Sequence, residues 1–393
     1  SGNLGWGKNF DIRNQTLSLL ASFSASNGTQ RMDNAFYKTL EATGNVQNDF
    51  SYDEYTSALK LAGLASASLT LRESDRIGYT FFYARNASDS YQRREGVDAE
   101  GHQLIGSNDV MHIYTLQNHQ LNGLHHFGQQ FELTWGGSYG KTGSEEPDRR
   151  QVMFTKNDDG TLSLFKLNRQ ETMRYYGNLN EDEWVGSLAL KYNWTEQNHV
   201  QVGFNYKNKN RDYIGTRFYY NLNRLNPEID DIYNTSDYLN QENVENGSLV
   251  IERRMQPHDT YRAGMDIYAG YVQTDFYPLA SLLLNVGLRY EYAKQWVEYA
   301  IEGQSTYESR RDLNKHDIFP TVNLKYIIND KNNLRFSLSR TITRPSFIEM
   351  APFLYQESYG SAQIRGNEDL QNGYNYNLDL RYERFGGNGD MFS

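Results

Sequence analysis

Residues 374–383 alternate between apolar and polar side chains, and this alternation constrains the fold more than any other feature of the sequence. The apolar positions are Tyr376, Leu378, Leu380 and Tyr382, and the polar positions are Asn375, Asn377, Asp379, Arg381 and Glu383. Successive side chains of a β-strand point to opposite faces, so one face of this strand is apolar and the other is ionic. Such contrast over a long strand is typical of a transmembrane β-barrel, which has lipid outside and water inside.

The composition favours the same all-β architecture. Only 38% of the residues are hydrophobic and the mean hydropathy is −0.77, yet 14% are aromatic and 31 residues are tyrosine. Tyrosine combines an apolar ring with a hydroxyl group that prefers water, so its excess predicts aromatic girdles at a membrane interface. The sequence has no apolar run of about 18 residues, which excludes transmembrane helices.

Twelve segments with strict alternation predict twelve strands of an antiparallel up-and-down β-barrel. They are residues 15–25, 59–71, 77–87, 110–121, 129–142, 183–194, 200–218, 260–277, 283–299, 318–328, 333–342 and 374–385, and residues 391–393 begin a thirteenth. We predict that Leu188, Phe204, Ile267, Leu288 and Leu378 face lipid and that Asp266, Arg289, Asp379 and Arg381 face the lumen. For residues 260–277, the predicted lipid-facing series is Tyr261, Ala263, Met265, Ile267, Ala269 and Tyr271.

The predicted connections alternate between short turns and long loops. The short turns lie near residues 74, 125, 196, 280, 330 and 388, and the long loops span residues 26–57, 88–109, 143–182, 219–259, 300–317 and 343–373. Short periplasmic turns and long extracellular loops are typical of outer-membrane barrels. We therefore expect all the long loops at one end of the barrel, on the cell exterior.

Several motifs resemble the β-barrel of TonB-dependent outer-membrane receptors. They are Pro147-Asp148-Arg149-Arg150 after Trp135, Arg211–Phe218, Tyr271–Asp275 with Gly287–Glu291, Ile318–Leu324, and the segment from Thr343-Arg344-Pro345-Ser346-Phe347 to Gly366–Leu370. The resemblance extends over nearly the whole chain and is greatest to receptors whose plug follows a carboxypeptidase-regulatory-like module. It implies that residues 1–393 are one domain with about 12 or 13 strands of a 22-stranded barrel, while the plug and the C-terminal strands lie outside them.

The resemblance also implies a function, which is TonB-energised import of a scarce solute such as a siderophore, a cobalamin, a glycan or a peptide. Its implied partners are outer-membrane lipid, the plug domain of the same protein, the TonB complex acting through the N-terminal part and a surface lipoprotein. The alternative is a non-transporting outer-membrane barrel, either an adhesin-like protein or a barrel hydrolase.

Aromatic side chains in the predicted long loops are the candidate ligand-binding residues. They are Tyr213, Tyr219, Tyr220, Phe353, Tyr355 and Tyr359. On the lumen face, the polar side chains of residues 285–291, 323–325, 335–339 and 379–383 predict a wet wall whose charges pair with one another and contact a plug.

We predict no catalytic residue, metal ion, cofactor or nucleic-acid partner. The net charge of −10 disfavours phosphate binding, and the absence of cysteine excludes Cys-ligated metal sites. His119, His125 and His126 lie close together in sequence, and we interpret them as part of a solvated turn. The acidic pairs Glu145-Glu146 and Asp158-Asp159 lack the ligand spacing of a calcium-binding loop.

Overall fold

The computed structural model describes residues 1–71, 75–165, 172–222, 232, 234–254, 259–301, 304–352, 354–355, 364–386 and 390–393. The strands are β1 (Gly2–Ile12), β2 (Gln15–Leu40), β3 (Val46–Thr70), β4 (Arg76–Val97), β5 (Gln103–Phe127), β6 (Phe131–Lys156), β7 (Leu162–Leu164), β8 (Met173–Asn193), β9 (His199–Leu222), β10 (Leu249–Arg254), β11 (Thr260–Leu279), β12 (Leu282–Tyr299), β13 (Ser309–Asn329), β14 (Asn332–Thr343), β15 (Leu354–Tyr355), β16 (Ile364–Arg365), β17 (Gly373–Phe385) and β18 (Met391–Phe392). The helices are α1 (Gln241–Glu245) and α2 (Phe347–Met350), and residues 235–237 form a 3-10 turn. No helix in the described part of the chain is long and apolar enough to cross a membrane.

Sixteen strands form one antiparallel sheet, in which neighbours along the main path are consecutive long strands of the sequence. The order is β1-β2-β3-β4-β5-β6-β8-β9-β11-β12-β13-β14-β17-β18, while β7 pairs with β6 and β10 pairs with β9. All twelve predicted strands and the short thirteenth are present, which confirms the all-β barrel architecture. The sequence reading missed β1, where Lys8 interrupts the outward apolar series of Leu4, Trp6 and Phe10.

The pairing register shows which side chains share a face. Leu188 of β8 pairs with Phe204 of β9, and these side chains are 52% and 49% exposed. Leu288 and Leu378 lie on this same outer face, whereas Arg289, Asp379 and Arg381 occupy the alternate positions of the inner face. The predicted orientation of these residues is confirmed.

The apolar part of the outer face, which we call the belt, begins after the short turns and ends on an aromatic side chain on five neighbouring strands. Its upper ends on β6, β8, β9, β11 and β12 are Tyr139, Trp184, Tyr206, Tyr268 and Tyr292. Ring centroids of Tyr139 and Trp184 are 4.5 Å apart, and those of Tyr206 and Tyr268 are 4.9 Å apart. On β8 the belt runs from Tyr192 to Trp184, a rise of about 27 Å along the strand at about 3.4 Å per residue. This length suits the apolar band of an outer-membrane barrel, and the aromatic row is the predicted girdle.

The strands continue well beyond the belt, and we call this part of the sheet the extension. Many of its outward side chains are polar, as in Asp182 on β8 and Asn208, Asn210 and Asp212 on β9. The predicted loops 26–57 and 88–109 were wrong, since β2 and β3 continue to residues 40 and 46, and β4 and β5 to residues 97 and 103. Only residues 41–45 and 98–102 connect them, and Gly44 and Gly101 adopt positive φ angles of 88° and 87° in these turns.

One strand has the opposite orientation to the one predicted. On β11, Gly270 pairs with outward Phe204 and Val272 pairs with outward Leu288. The even-numbered residues therefore face outward, so Asp266 is an outer residue and Ile267 is an inner one, contrary to both predictions. Asp266 lies just above the belt and accepts hydrogen bonds from the Tyr206 hydroxyl at 3.0 Å and from Asn208 Nδ2 at 2.8 Å.

Candidate functional site

Ion pairs join β8 and β9 on the inner face of the extension, directly above the belt. Lys209 Nζ lies 2.8 Å from Glu181 Oε1 and 3.0 Å from Glu183 Oε2. Lys207 Nζ lies 2.9 Å from Glu183, and Arg211 Nε donates to Glu181 at 2.7 Å. Each carboxylate is shared between two cations of the neighbouring strand, so every charge of this group has a partner within the wall.

The predicted polar ladder pairs in the same manner. Asn323 Nδ2 donates to Asn285 Oδ1 at 2.9 Å, and the Ser337 hydroxyl donates to Asn323 Oδ1 at 2.8 Å. Arg335 Nε donates to Glu383 at 3.0 Å, and Arg381 lies 3.4 Å from the same carboxylate. The predicted lateral pairing is confirmed for these residues, and contact with a plug stays a prediction.

A segment between β14 and β17 folds back onto the inner face, and we call its described residues 344–352 and 364–372 the strap. Arg344 donates to Glu291 Oε2 at 2.6 Å, and Gln295 Nε2 donates to the Pro345 carbonyl at 2.7 Å. The Ser346 backbone N–H and hydroxyl both donate to Glu349, closing a capping box at the start of α2. These hydrogen bonds from Ser346 hold the pKa of Glu349 below its usual value.

The strap buries its apolar side chains against β11, β12 and β13. Phe347 and Met350 pack in one cluster with Tyr261, Val297 and Leu313. Farther along the strap, Tyr299 donates its hydroxyl to Glu368 at 2.7 Å. Burial, reinforced by this hydrogen bond, raises the pKa of Tyr299 to about 12, so the phenol stays protonated as the donor. The strap is therefore a fixed part of the inner face, and Arg344 acts as its anchor.

The predicted ligand-binding residues do not form one site. Tyr213 lies on the inner face, where its ring stacks on Tyr261 at 5.5 Å between centroids and its hydroxyl bonds to that of Tyr175. Tyr219 is buried, and Tyr220 packs on the outer face against the cluster of Val152, Phe154, Tyr238 and Leu249. Phe353, Tyr359 and the side chain of Tyr355 lie outside the described residues.

A concave site, which we call the cup, opens instead on the inner face of the extension between β2 and β5. Its volume is about 340 Å³, and its lining includes Tyr37, Phe50, Tyr52, Glu54, Gln92 and Asn108. Gln92 Nε2 donates to Glu54 Oε2 at 3.2 Å, and the guanidinium of Arg94 lies 5.6 Å from the Phe50 ring. A mixed aromatic and polar lining of this volume is typical of small-molecule sites.

The sequence contains one indication of the strands that form the cup. Phe50 and Tyr52 alternate with the polar residues Asp49, Ser51 and Asp53, which indicates strand rather than loop. This alternation is hard to recognise in the sequence because both faces of the extension carry polar residues, so neither face resembles a lipid-facing surface.

The three neighbouring histidines lie on β5 rather than in a turn, contrary to the interpretation from sequence, and their side chains do not converge. His119 Nδ1 shares a hydrogen bond with the Tyr79 hydroxyl at 2.8 Å, and His125 Nε2 accepts from Trp135 Nε1 at 3.1 Å. His126 lies 3.4 Å from Glu132. Within the described ranges, no group of three or more His, Cys, Asp or Glu side chains is placed to hold a metal ion.

Comparison with known proteins supports the fold assignment. Residues 226–392 match the outer membrane protein beta-barrel family, and no curated protein matches the sequence. The siderophore receptor PiuA from Acinetobacter baumannii aligns with a TM-score of 0.53 and 9% identity over 98% of this chain and 55% of that chain. The copper transporter OprC aligns with a TM-score of 0.50 and 12% identity over 98% of this chain and 51% of that chain.

At such identities the similarity shows the fold alone, and the chain spans about half the length of these two structures. The sheet order, the outward apolar belt and the matched family model agree with one another. The chain therefore has the fold of an outer-membrane β-barrel wall, like the siderophore receptor and the copper transporter that it resembles.

Proposed function

We propose that this chain forms the wall of a receptor that imports a scarce solute across the outer membrane with energy from the TonB complex. The observation that carries the proposal is the size of the sheet together with its paired inner face. Fourteen strands lie side by side along the main path of the sheet, whereas about eight already suffice for a barrel that its own side chains can fill. A barrel containing this sheet encloses a space that is either an aqueous channel or the seat of a plug.

The inner face supports a plug rather than an open channel. Its charges are satisfied laterally, as in the bonds of Lys209 to Glu181 and of Arg344 to Glu291. A wall whose charges are paired with one another can lie against a protein domain without leaving buried ions unpaired. We infer that a plug of the same protein fills the lumen, and that TonB acts on it through the N-terminal part of the protein.

The extension supports capture of the solute at the end of the barrel opposite the short turns. The cup and the strap both lie on the inner face there, which is the surface that a solute entering from outside would meet first. The two similar structures are, by name, a siderophore receptor and a copper transporter. A siderophore, a cobalamin, a glycan or a peptide fits the proposal, and a capping lipoprotein stays a prediction.

Growth of a deletion strain on defined iron, vitamin and glycan sources tests the import function. We expect a growth defect on one class of source, its rescue by the intact gene, and the same defect in a strain that lacks TonB. Normal growth on every source, combined with loss of surface attachment or of a hydrolytic activity, would instead support the adhesin-like or hydrolase alternative. A gene sequence without a plug upstream of the barrel would contradict the proposal before any growth experiment.

A further inference from the structure

The cup contains a buried hydrogen-bond acceptor that no donor satisfies. Asn108 is only 7% exposed, and its side-chain Oδ1 has no hydrogen-bond partner in the described structure. A buried amide oxygen without a donor costs free energy, and most native proteins avoid one. Asn108 is one of the residues that line the cup, so a molecule bound there lies next to the unsatisfied amide.

Acceptors extend from Asn108 across the floor of the cup. The register pairs Glu54 of β3 with Gln92 of β4, and Gln92 with Asn108 of β5. Adjacent strands lie about 4.8 Å apart, so Glu54 and Asn108 stand about 10 Å from each other with Gln92 between them. Gln92 uses its amide N–H₂ on Glu54, which leaves its own oxygen as a further acceptor. A ligand on this row must therefore bring several donors.

The spacing of the acceptors disfavours a metal ion in the cup, and the charges of its lining disfavour a charged ligand. A single metal ion cannot bridge acceptors that are spread over about 10 Å, because ligand oxygens lie within about 2.6 Å of a bound cation. The Glu54 carboxylate and the Arg94 guanidinium line the same cavity, so their charges offset each other and a ligand with a net charge of either sign gains no overall attraction. A neutral molecule is compatible with both side chains.

Tyr37, Phe50 and Tyr52 supply the apolar part of the lining. Aromatic rings next to a row of amide and carboxylate acceptors suit a molecule that has both C–H surface and several hydroxyl groups. We propose that the cup binds a neutral, hydroxyl-rich ligand of saccharide size, whose hydroxyl groups donate to Asn108, Gln92 and Glu54. That this ligand is the imported cargo rests on the proposed function, whereas its binding to the cup does not.

Calorimetric titration of the full-length protein tests the proposal. The protein is held in a detergent without a sugar headgroup, and the probes are maltotriose, cellotriose and xylotriose, with ferrichrome and a dipeptide in separate arms. We expect at least one trisaccharide to bind, and Asn108→Ala and Glu54→Gln each to weaken its affinity about 3- to 10-fold through loss of one hydrogen bond. The control Asn210→Ala, on the outer face of the extension, should leave the affinity unchanged.

Amide hydrogen exchange of the wild-type protein, measured with and without a trisaccharide, locates the binding site without any variant, so misfolding of a variant cannot affect the result. The bound trisaccharide should slow amide exchange in residues 50–54, 90–94 and 106–110 and leave the belt unaffected. Absence of binding by all three trisaccharides overturns the ligand class, and binding that protects other segments overturns the cup as the site. Neither result touches the import function, because the growth experiment would still report it.

Discussion

The belt and the extension are parts of the same strands, yet they place their apolar side chains differently. In the belt, Leu188 and Phe204 point outward and are about half exposed, because this face of the sheet contacts lipid rather than other parts of the protein. In the extension, the clustered apolar side chains are covered by the chain itself, as Val297 is by the strap on the inner face and Phe154 is by Tyr238 on the outer face. The surroundings, rather than strand propensity, decide which face is apolar.

This difference explains the orientation error on β11, which crosses from one region to the other. Tyr261 and Ala263 are buried inward in the extension, whereas Val272 is exposed outward in the belt. The odd-numbered residues from Tyr261 to Tyr271 look like one lipid-facing series because the even-numbered ones include Gly264, Asp266 and Gly270. Only the pairing with β9 and β12 identifies the outer face.

Epitope tags give the largest expected contrast between the two ends of the sheet. Tags at Asp158 and Asn234, which follow the extension, should bind antibody on intact cells. Tags at Asp75 and Asp330, in the short turns at the other end, should bind antibody only after the outer membrane is permeabilised. An accessible tag at Asp330 in intact cells would reverse the orientation and move the cup to the periplasmic side.

Single-cysteine labelling tests the corrected face of β11. In the belt, Gln273→Cys on the inner face should react with a water-soluble thiol reagent, while Val272→Cys on the outer face should be shielded by lipid. The two positions are adjacent, so they share depth and strand, and the chain has no native cysteine to interfere. Faster labelling at residue 272 than at residue 273 would restore the original orientation.

Truncation of an apolar strap side chain should lower the free energy of unfolding, because the strap covers apolar side chains of the extension as lipid covers those of the belt. Phe347 is only 5% exposed, so Phe347→Ala should lower the free energy of unfolding by about 3–5 kcal/mol, and expose the strap to protease. Phe36→Ala provides the control, since Phe36 lies in the extension but is 76% exposed. Equal effects from both variants would show that the strap contributes little to stability.

A charge introduced on the outer face of β8 should destabilise the protein in the belt but not in the extension. Leu188→Arg lies at the middle of the belt and should lower the free energy of unfolding in lipid vesicles by about 2–4 kcal/mol. Asn180→Arg lies on the same face of β8 in the extension, where the arginine stays in water, so its effect should be within about 0.5 kcal/mol. Similar losses for both variants would mean that lipid reaches residue 180.

The sequence predicts the belt well because contact with lipid requires an apolar side chain at every second position of a strand. The outward positions of Leu188, Phe204, Leu288 and Leu378 all follow from alternation. The same rule fails for Phe50 and Asn108, whose strands have water or folded loops on each side, so the sequence predicts long loops for both residues. The cup depends on which strands are neighbours, because Glu54, Gln92 and Asn108 come together only through the pairing of β3, β4 and β5.

The smallest expected effect concerns the turn that joins β4 and β5 at the tip of the extension. Asp98 Oδ1 accepts from the backbone N–H of Glu100 at 3.0 Å and from that of His102 at 2.9 Å, and the His102 ring lies 2.9 Å from Oδ2. Burial alone would raise the pKa of Asp98, but the hydrogen bonds from the His102 side chain and from these two backbone groups outweigh it. The pKa of this carboxyl in the folded turn is therefore below its usual value.

A lowered pKa means that the ionised carboxylate stabilises the folded turn. This contribution is complete above the unfolded pKa of about 3.9 and is lost as the pH falls through the lower folded value. Protection of the Glu100 and His102 amides against hydrogen exchange, corrected for the intrinsic rate, should thus be constant from pH 7 to about 5 and decrease below about 4. Asp98→Asn should abolish this decrease, while belt amides next to Leu188 stay protected in both proteins because no carboxylate holds them. A loss of protection that is equal in the belt would mean that acid unfolds the whole sheet, so the extension would have no independent response.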